Sequence, residues 1–194
     1  MATPAVHALR FESGRPCLDL AATLGYRTGP EPVERLTGPE RLRQWLVAVD
    51  FVPPEQVDCV DGRWLEAFLE VREVVHRVVR SVLHGRPLDD ADVRVLNLLA
   101  VATPPAPQVV LIRGGLRWVL ATPVTLEAAL SLLARDTVDL LTRTDLSLLR
   151  ECEGPTCGLV YVDSSPGRRR RWCSAGACGK RERVSQFRSR QRAR

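Results

Sequence analysis

Four cysteines near the C-terminus constrain this chain more than any other feature. They fall as Cys152-x4-Cys157-x15-Cys173-x4-Cys178, two pairs of equal spacing within 27 residues. The stretch that carries them, residues 151–194, is poor in Leu and Val and rich in Gly, Ser and Arg, too little apolar matter to fold on a hydrophobic core alone. A bound metal supplies what the core does not: structural zinc contributes ~10–16 kcal/mol in finger peptides. Four thiolates form a closed tetrahedral site with no position left for a water, so such an ion is structural and argues against a zinc hydrolase. Cys152, Cys157, Cys173 and Cys178 are therefore the expected ligands of one Zn2+. His7, His76 and His84 receive no ligand role, and the isolated Cys17 and Cys59 are expected as small buried apolar residues.

The residues between the two pairs suggest how they are brought together. Leu159-Val-Tyr-Val, after Gly158, is short and β-branched and predicts a strand leaving the first knuckle. Asp163-Ser-Ser-Pro-Gly is a turn, and Arg168–Arg171 with Trp172 is expected to return as the second strand. Ser174 is a candidate N-cap, which places Cys178 in the first turn of a helix running through about Arg190. A hairpin followed by a helix, with the second pair at the helix start, is a treble-clef-like finger. Trp172 is expected to pack over the metal, and Val184 and Phe187 to pack on the knuckle or the body.

Residues 1–150 have enough apolar content for a core of their own. A short helix is expected from about Leu18. A second starts at Pro39, with Leu42, Trp45, Leu46 and Val49 at helical spacing, and ends at Pro53-Pro54. Asp61 caps a long helix from Gly62 to Leu83, closed by Gly85, with Leu65, Phe68, Leu69, Arg72, Val75, Val79 and Val82 as its stripe. A helix over 88–102, with Val93, Leu96, Leu99 and Ala100 inward, precedes the Thr-Pro-Pro-Ala-Pro breaker. Val109–Arg113 and Leu116–Leu120 flank Gly114-Gly115 as a β-hairpin, and 124–150 is the last long helix, with Leu148 on its buried face. The expected fold is thus a mainly α body with one small β-hairpin over 1–150, followed by a four-cysteine finger over 151–194.

Charge is unevenly spread. Residues 151–194 hold 11 Lys and Arg against 4 Asp and Glu, leaving 17 against 19 in residues 1–150. A basic tail on a near-neutral body points to an anionic partner, nucleic acid first. The candidate contacts are Arg168, Arg169, Lys180, Arg181, Arg183, Arg188 and Arg190. Arg170 and Arg171 are candidates instead for pairing with Asp163 or Glu153. The alternative class is a zinc-stabilised protein-interaction module, its basic tail meeting an acidic partner and its helical body sensing a small ligand or forming a homodimer. No catalytic constellation stands out in 1–150, so no enzyme activity is expected. No apolar run reaches the ~18 residues that span a bilayer, and the N-terminus lacks the basic start and apolar core of a signal peptide, so a soluble cytoplasmic protein is expected.

These residues carry a resemblance. Cys157-Gly158, Tyr161, Asp163, Ser165, Arg170-Arg171-Trp172-Cys173-Ser174 and Cys178-Gly179-Lys180-Arg181 resemble the CGNR-type zinc finger. Phe11 to Gly25, with Gly14-Arg-Pro-Cys17-Leu-Asp19 and Thr23-Leu, resembles the ABATE domain that precedes that finger. The resemblance implies a bacterial stress-induced transcription regulator that binds DNA through the finger. Two positions depart from the pattern: Lys180 stands in place of the motif's Asn, and Ala22 where the N-terminal motif usually has Asn.

Overall fold

The computed structural model describes residues 5–192; the side chains at 5, 186, 189, 190 and 192 lie outside the description. About 51% of the chain is helical, and its strands form small two-stranded ribbons, the mainly α class expected. Spatial contacts divide it into two compact units. One joins Met1–Arg35 to Thr144–Arg194; the other is Leu36–Arg143. The sequence places a boundary along the chain near Arg150, whereas in space the first 35 residues belong with the cysteine-bearing segment.

The Leu36–Arg143 unit is a helical bundle. Helix α2 (Pro39–Ala48) begins on Pro39, whose missing N–H is one a helix start leaves unused. Helix α3 (Gly62–Leu83) is capped by Asp61, whose carboxylate accepts from the Trp64 N–H at 3.1 Å. Helix α4 (Asp90–Val101) is capped in the same way by Asp89, and helix α5 spans Leu126–Arg143. The core gathers Leu42, Trp45 and Leu46 from α2, Phe68, Val71, Val75 and Val79 from α3, and Leu130, Leu133 and Leu140 from α5. Phe68 meets Trp45 edge-on at 6.1 Å and stacks on Trp64 at 6.2 Å. Strands β3 (Pro107–Ile112) and β4 (Gly115–Leu120) form the expected hairpin, but its turn comes one residue earlier than Gly114-Gly115: Ile112 pairs with Gly115, and the two-residue loop is Arg113-Gly114, with Gly114 at φ +96°.

Three details of this unit depart from periodicity. The buried stripe of α3 keeps the expected Phe68, Arg72, Val75 and Val79 but is completed by Trp64, Val71, Val74 and Val78 rather than Leu65, Leu69 and Val82. On α4, Leu96 is buried while Leu99 and Ala100 are only half covered, and buried Asp92 pairs with Arg77 through two contacts at 2.6 and 2.9 Å. Cys59 is exposed, because it ends a 3-10 turn (Pro54–Cys59) with no buried residue, whereas Cys17 is fully buried as expected.

In the other unit, helix α1 (Pro16–Ala21) leads into a short ribbon, β1 (Leu24–Gly25) with β2 (Val33–Glu34). The last long helix expected over 124–150 stops at Arg143. Asp145 accepts the Ser147 N–H at 3.0 Å and starts a separate turn over Leu146–Leu148. Strand β5 (Leu149–Glu151) follows and pairs antiparallel with β6 (Val160–Val162), Arg150 opposite Tyr161. The partner of β6 is thus the segment before the first cysteine, and residues 168–172 form no strand. Leu148 leaves the helix, and Leu149 becomes the buried residue of β5.

Phe68 is fully buried among two indoles, so Phe68→Ala leaves a cavity that its neighbours cannot close. The expected cost is about 3–5 kcal/mol, read as a fall in the denaturation midpoint with zinc content unchanged.

Candidate metal centre

The first knuckle closes the β5–β6 ribbon. Cys152 follows β5 directly, and its N–H bonds the Leu159 carbonyl at 2.8 Å, extending the ladder by one pair. The chain then turns through Glu153-Gly154-Pro155-Thr156, and the Cys157 N–H bonds the Gly154 carbonyl at 2.9 Å. Gly158 has φ +64°, and a Cβ there would meet the Thr28 methyl at 2.8 Å, so glycine serves both the backbone sign and the close approach.

The second pair is set by a turn wider than expected. Ser174 caps it, its hydroxyl accepting from the Ala177 N–H at 3.3 Å. The turn Ala175–Gly179 is π-helical, with the Gly179 N–H on the Ser174 carbonyl at 3.0 Å, before helix α6 (Lys180–Arg192) begins. Cys178 lies in that turn, and its sulfur comes 3.6 Å from that of Cys173. Cys157 and Cys173 sulfurs are also 3.6 Å apart, and all four sulfurs lie within 4.8 Å of one another, every one buried.

These separations suit a tetrahedral ion. Thiolates ~2.3 Å from one zinc stand ~3.8 Å from each other, whereas a disulfide brings sulfurs to ~2.05 Å. The four cysteines expected as ligands are the four that converge, and no histidine joins them among the described residues. Ala22, Leu159 and Tyr161 pack with the four sulfurs into one buried cluster, and Trp172 covers it from outside. Ala22 occupies the position where the N-terminal motif usually carries Asn, and here it forms part of the wall around the sulfurs.

Arg170 and Asp163 tie the two knuckles together. Fully buried Asp163 accepts from the Ser165 hydroxyl at 2.6 Å, the Ser165 N–H at 3.0 Å and the Arg170 N–H at 2.9 Å. The Ser165 hydroxyl leads in holding its carboxyl below the usual carboxylate range. Tyr161 donates to the Arg170 carbonyl at 2.6 Å. The Arg170 guanidinium lies 4.3 Å over the Tyr161 ring and donates to the carbonyls of Trp172, Cys173 and Glu12. Arg171 pairs with Glu153 at 2.5 Å, as expected of a residue that folds back.

Two further arginines, from the start of the chain, act on the cluster through their charge. Arg10 points a guanidinium nitrogen at the Cys173 sulfur, 3.8 Å away. Burial opposes its charge, but Cys173, Cys178 and Cys157 outweigh that cost and raise its pKa. Arg35 is 1% exposed, donates to the Ala22 carbonyl at 2.8 Å and lies where a Cβ at Gly25 would overlap its guanidinium. Burial first, and repulsion from Arg10 second, lower the Arg35 pKa to about 10, against the pull of Tyr26, Cys157 and Cys173. Four thiolates and one divalent ion leave a net charge of minus two, and two guanidinium groups oppose it. Nothing in the sequence flags this pair: Arg10 is 163 residues from Cys173.

The basic candidates lie on the outside. Arg168, Arg169, Lys180, Arg181, Arg183 and Arg188 are all exposed, while the Arg190 side chain lies outside the described residues. Arg168 reaches Asp145 at 3.3 Å, and Arg183 donates to the Ala175 carbonyl at 3.3 Å. Arg181 lies 4.6 Å over the Tyr26 ring and donates to its hydroxyl at 2.6 Å. Val184 and Phe187 are 40% and 61% exposed rather than packed on the knuckle. The wall around the sulfurs is already filled by Ala22, Leu159, Tyr161 and Trp172, so the apolar residues of α6 find no cover there.

Zinc affinity should rise with pH from about pH 6 and go on rising past pH 8, because ligation expels thiol protons. In the metal-free cluster, contact among the sulfurs lowers the Cys152 thiol to about 7 and lowers the Cys178 thiol with it, and pushes the Cys157 and Cys173 thiols above their ordinary value. Those last two thiols are protonated across this range and must shed their protons on ligation, and a chelator competition at several pH values reads the slope. Arg10→Gln should weaken zinc binding by about tenfold in the same assay, with the fold retained at saturating zinc, since it removes a charge facing the sulfurs.

Comparison with known proteins agrees with this geometry. Residues 149–191 match the model of the CGNR zinc finger, which together with the four buried cysteines gives the chain one structural zinc. A search of the curated proteins finds no match. Residues 14–144 match the ABATE family model, described as "Putative stress-induced transcription regulator". With most of its length matched by that model and residues 149–191 by the finger that follows it, the chain belongs to the ABATE family and carries a CGNR zinc finger.

Proposed function

We propose that this zinc-binding regulator acts on DNA, gripping the phosphate backbone through α6 and the Arg168–Arg169 turn. The observation that carries the reading is the exposure of six cations on elements anchored at the zinc cluster: the turn before Cys173 and the helix that grows out of the Cys178 turn. A helix held at one end by a metal site is a rigid mount, and guanidinium groups suit phosphate geometry. Lys180 stands at the first position of α6 in place of the motif's Asn and adds a cation there. Arg170 and Arg171, engaged with the finger's own groups, act as struts rather than contacts. With a structural zinc, the proposed action is by binding rather than by chemistry at the metal. Among the described residues no helix is long and apolar enough to cross a membrane, and the cytoplasm, where DNA is accessible in a bacterium, is the proposed location.

Exposed Val184 and Phe187 favour a second reading, in which α6 docks on a protein surface that is acidic and partly apolar. Competition separates the two: duplex DNA displaces a bound acidic protein only if both use the same cations.

Titration of zinc-loaded protein against duplex DNA over a range of salt should give a log–log slope of about −5 if the six described cations each neutralise one phosphate. Arg188→Ala should flatten the slope by about one without loss of zinc, and Cys173→Ser should abolish binding together with the metal. A flat salt dependence would overturn the reading.

A further inference from the structure

We propose that the apolar face of the β3–β4 hairpin is a homotypic interface, docking on the same face of a second copy of this chain. The register puts Pro107 opposite Leu120, Val109 opposite Trp118 and Leu111 opposite Leu116. Directly opposed residues share a face, so these six side chains, all apolar, form one side of the ribbon. At its base Leu120 is buried, but Val109, Leu111, Leu116 and Trp118 are 62%, 84%, 71% and 55% exposed.

A two-stranded ribbon is marginal in water unless something covers it, and β3 and β4 pair with no third strand among the described residues. Four large side chains exposed to this degree present apolar surface on the order of 500 Å², the upper end of what monomers carry. Two copies meeting face to face would bury roughly twice that, about the 1,000 Å² that a specific interface needs.

Charge narrows the occupants, and the area available fits a second copy. The hairpin's cations are Arg113, in the two-residue turn with Gly114, and Arg117, which opposes Val110 on the other face. The apolar face itself carries neither sign, so it offers nothing to phosphate or to an acidic peptide. A second copy meets it without like-charge repulsion. A two-fold arrangement of identical faces also closes on itself, giving a dimer and not a filament. The inference does not depend on the DNA reading, and its test contains no nucleic acid.

The experiment is sedimentation equilibrium of the zinc-loaded full chain over about 1–100 µM. The mass should rise from that of one 21.6 kDa chain towards twice that value. Leu111→Glu and Leu116→Glu each set carboxylates against one another across the two-fold and should weaken self-association at least tenfold. Arg117→Glu, on the opposite face, should leave it unchanged. Both leucines are largely exposed, so zinc content and circular dichroism should match the wild type. A single-chain mass at every concentration would overturn the proposal, as would a dimer that both leucine variants leave intact. So would a monomer that sediments with vesicles of mixed neutral and anionic phospholipid, which would assign the face to a membrane.

Discussion

Convergence of four buried sulfurs is the constraint on which the Met1–Arg35 and Thr144–Arg194 unit depends. The unit's strands are two or three residues long, and such ribbons do not persist on backbone pairing alone. What fixes their ends is a metal site that closes the β5–β6 ribbon at Cys152 and Cys157 and seats the start of α6 at Cys178. Zinc–thiolate bonds replace, in a stretch poor in Leu and Val, the burial that stabilises the α2–α5 bundle.

A tetrathiolate site carries a problem with its strength. It is anionic, and it sits in a cluster walled by Ala22, Leu159, Tyr161 and Trp172. Burying net charge is costly unless opposite charge is near. Arg10 and Arg35 supply that charge, and this gives a physical reason for the first 35 residues to fold with the last 51. The same cations that stabilise the metal are turned inwards, and so are distinct from the exposed ones on α6.

Arginine is the common currency of this chain, but its uses differ by position. Arg170 is a strut, stacking on Tyr161 and holding three carbonyls. Arg171 is neutralised by Glu153. Arg181 rests on Tyr26, which limits its motion while leaving it exposed. Adjacent and chemically identical residues are separated only by what lies within reach of each.

Much of this was legible in order along the chain. Cysteine spacing identified the ligand set, because thiolate chemistry needs short loops within each pair whatever the surrounding fold. Asp61 and Ser174 announced their helix starts, and Gly114-Gly115 its hairpin, because caps and turns depend on a few neighbouring residues. What the tertiary structure alone decided was pairing at a distance. β6 pairs with β5 and not with 168–172, Arg10 faces a sulfur far away in sequence, and Val184 and Phe187 stay uncovered because their place is taken. Local rules reach about one helical turn or one loop; which surfaces meet across the fold depends on shape and charge brought together only when the whole unit is folded.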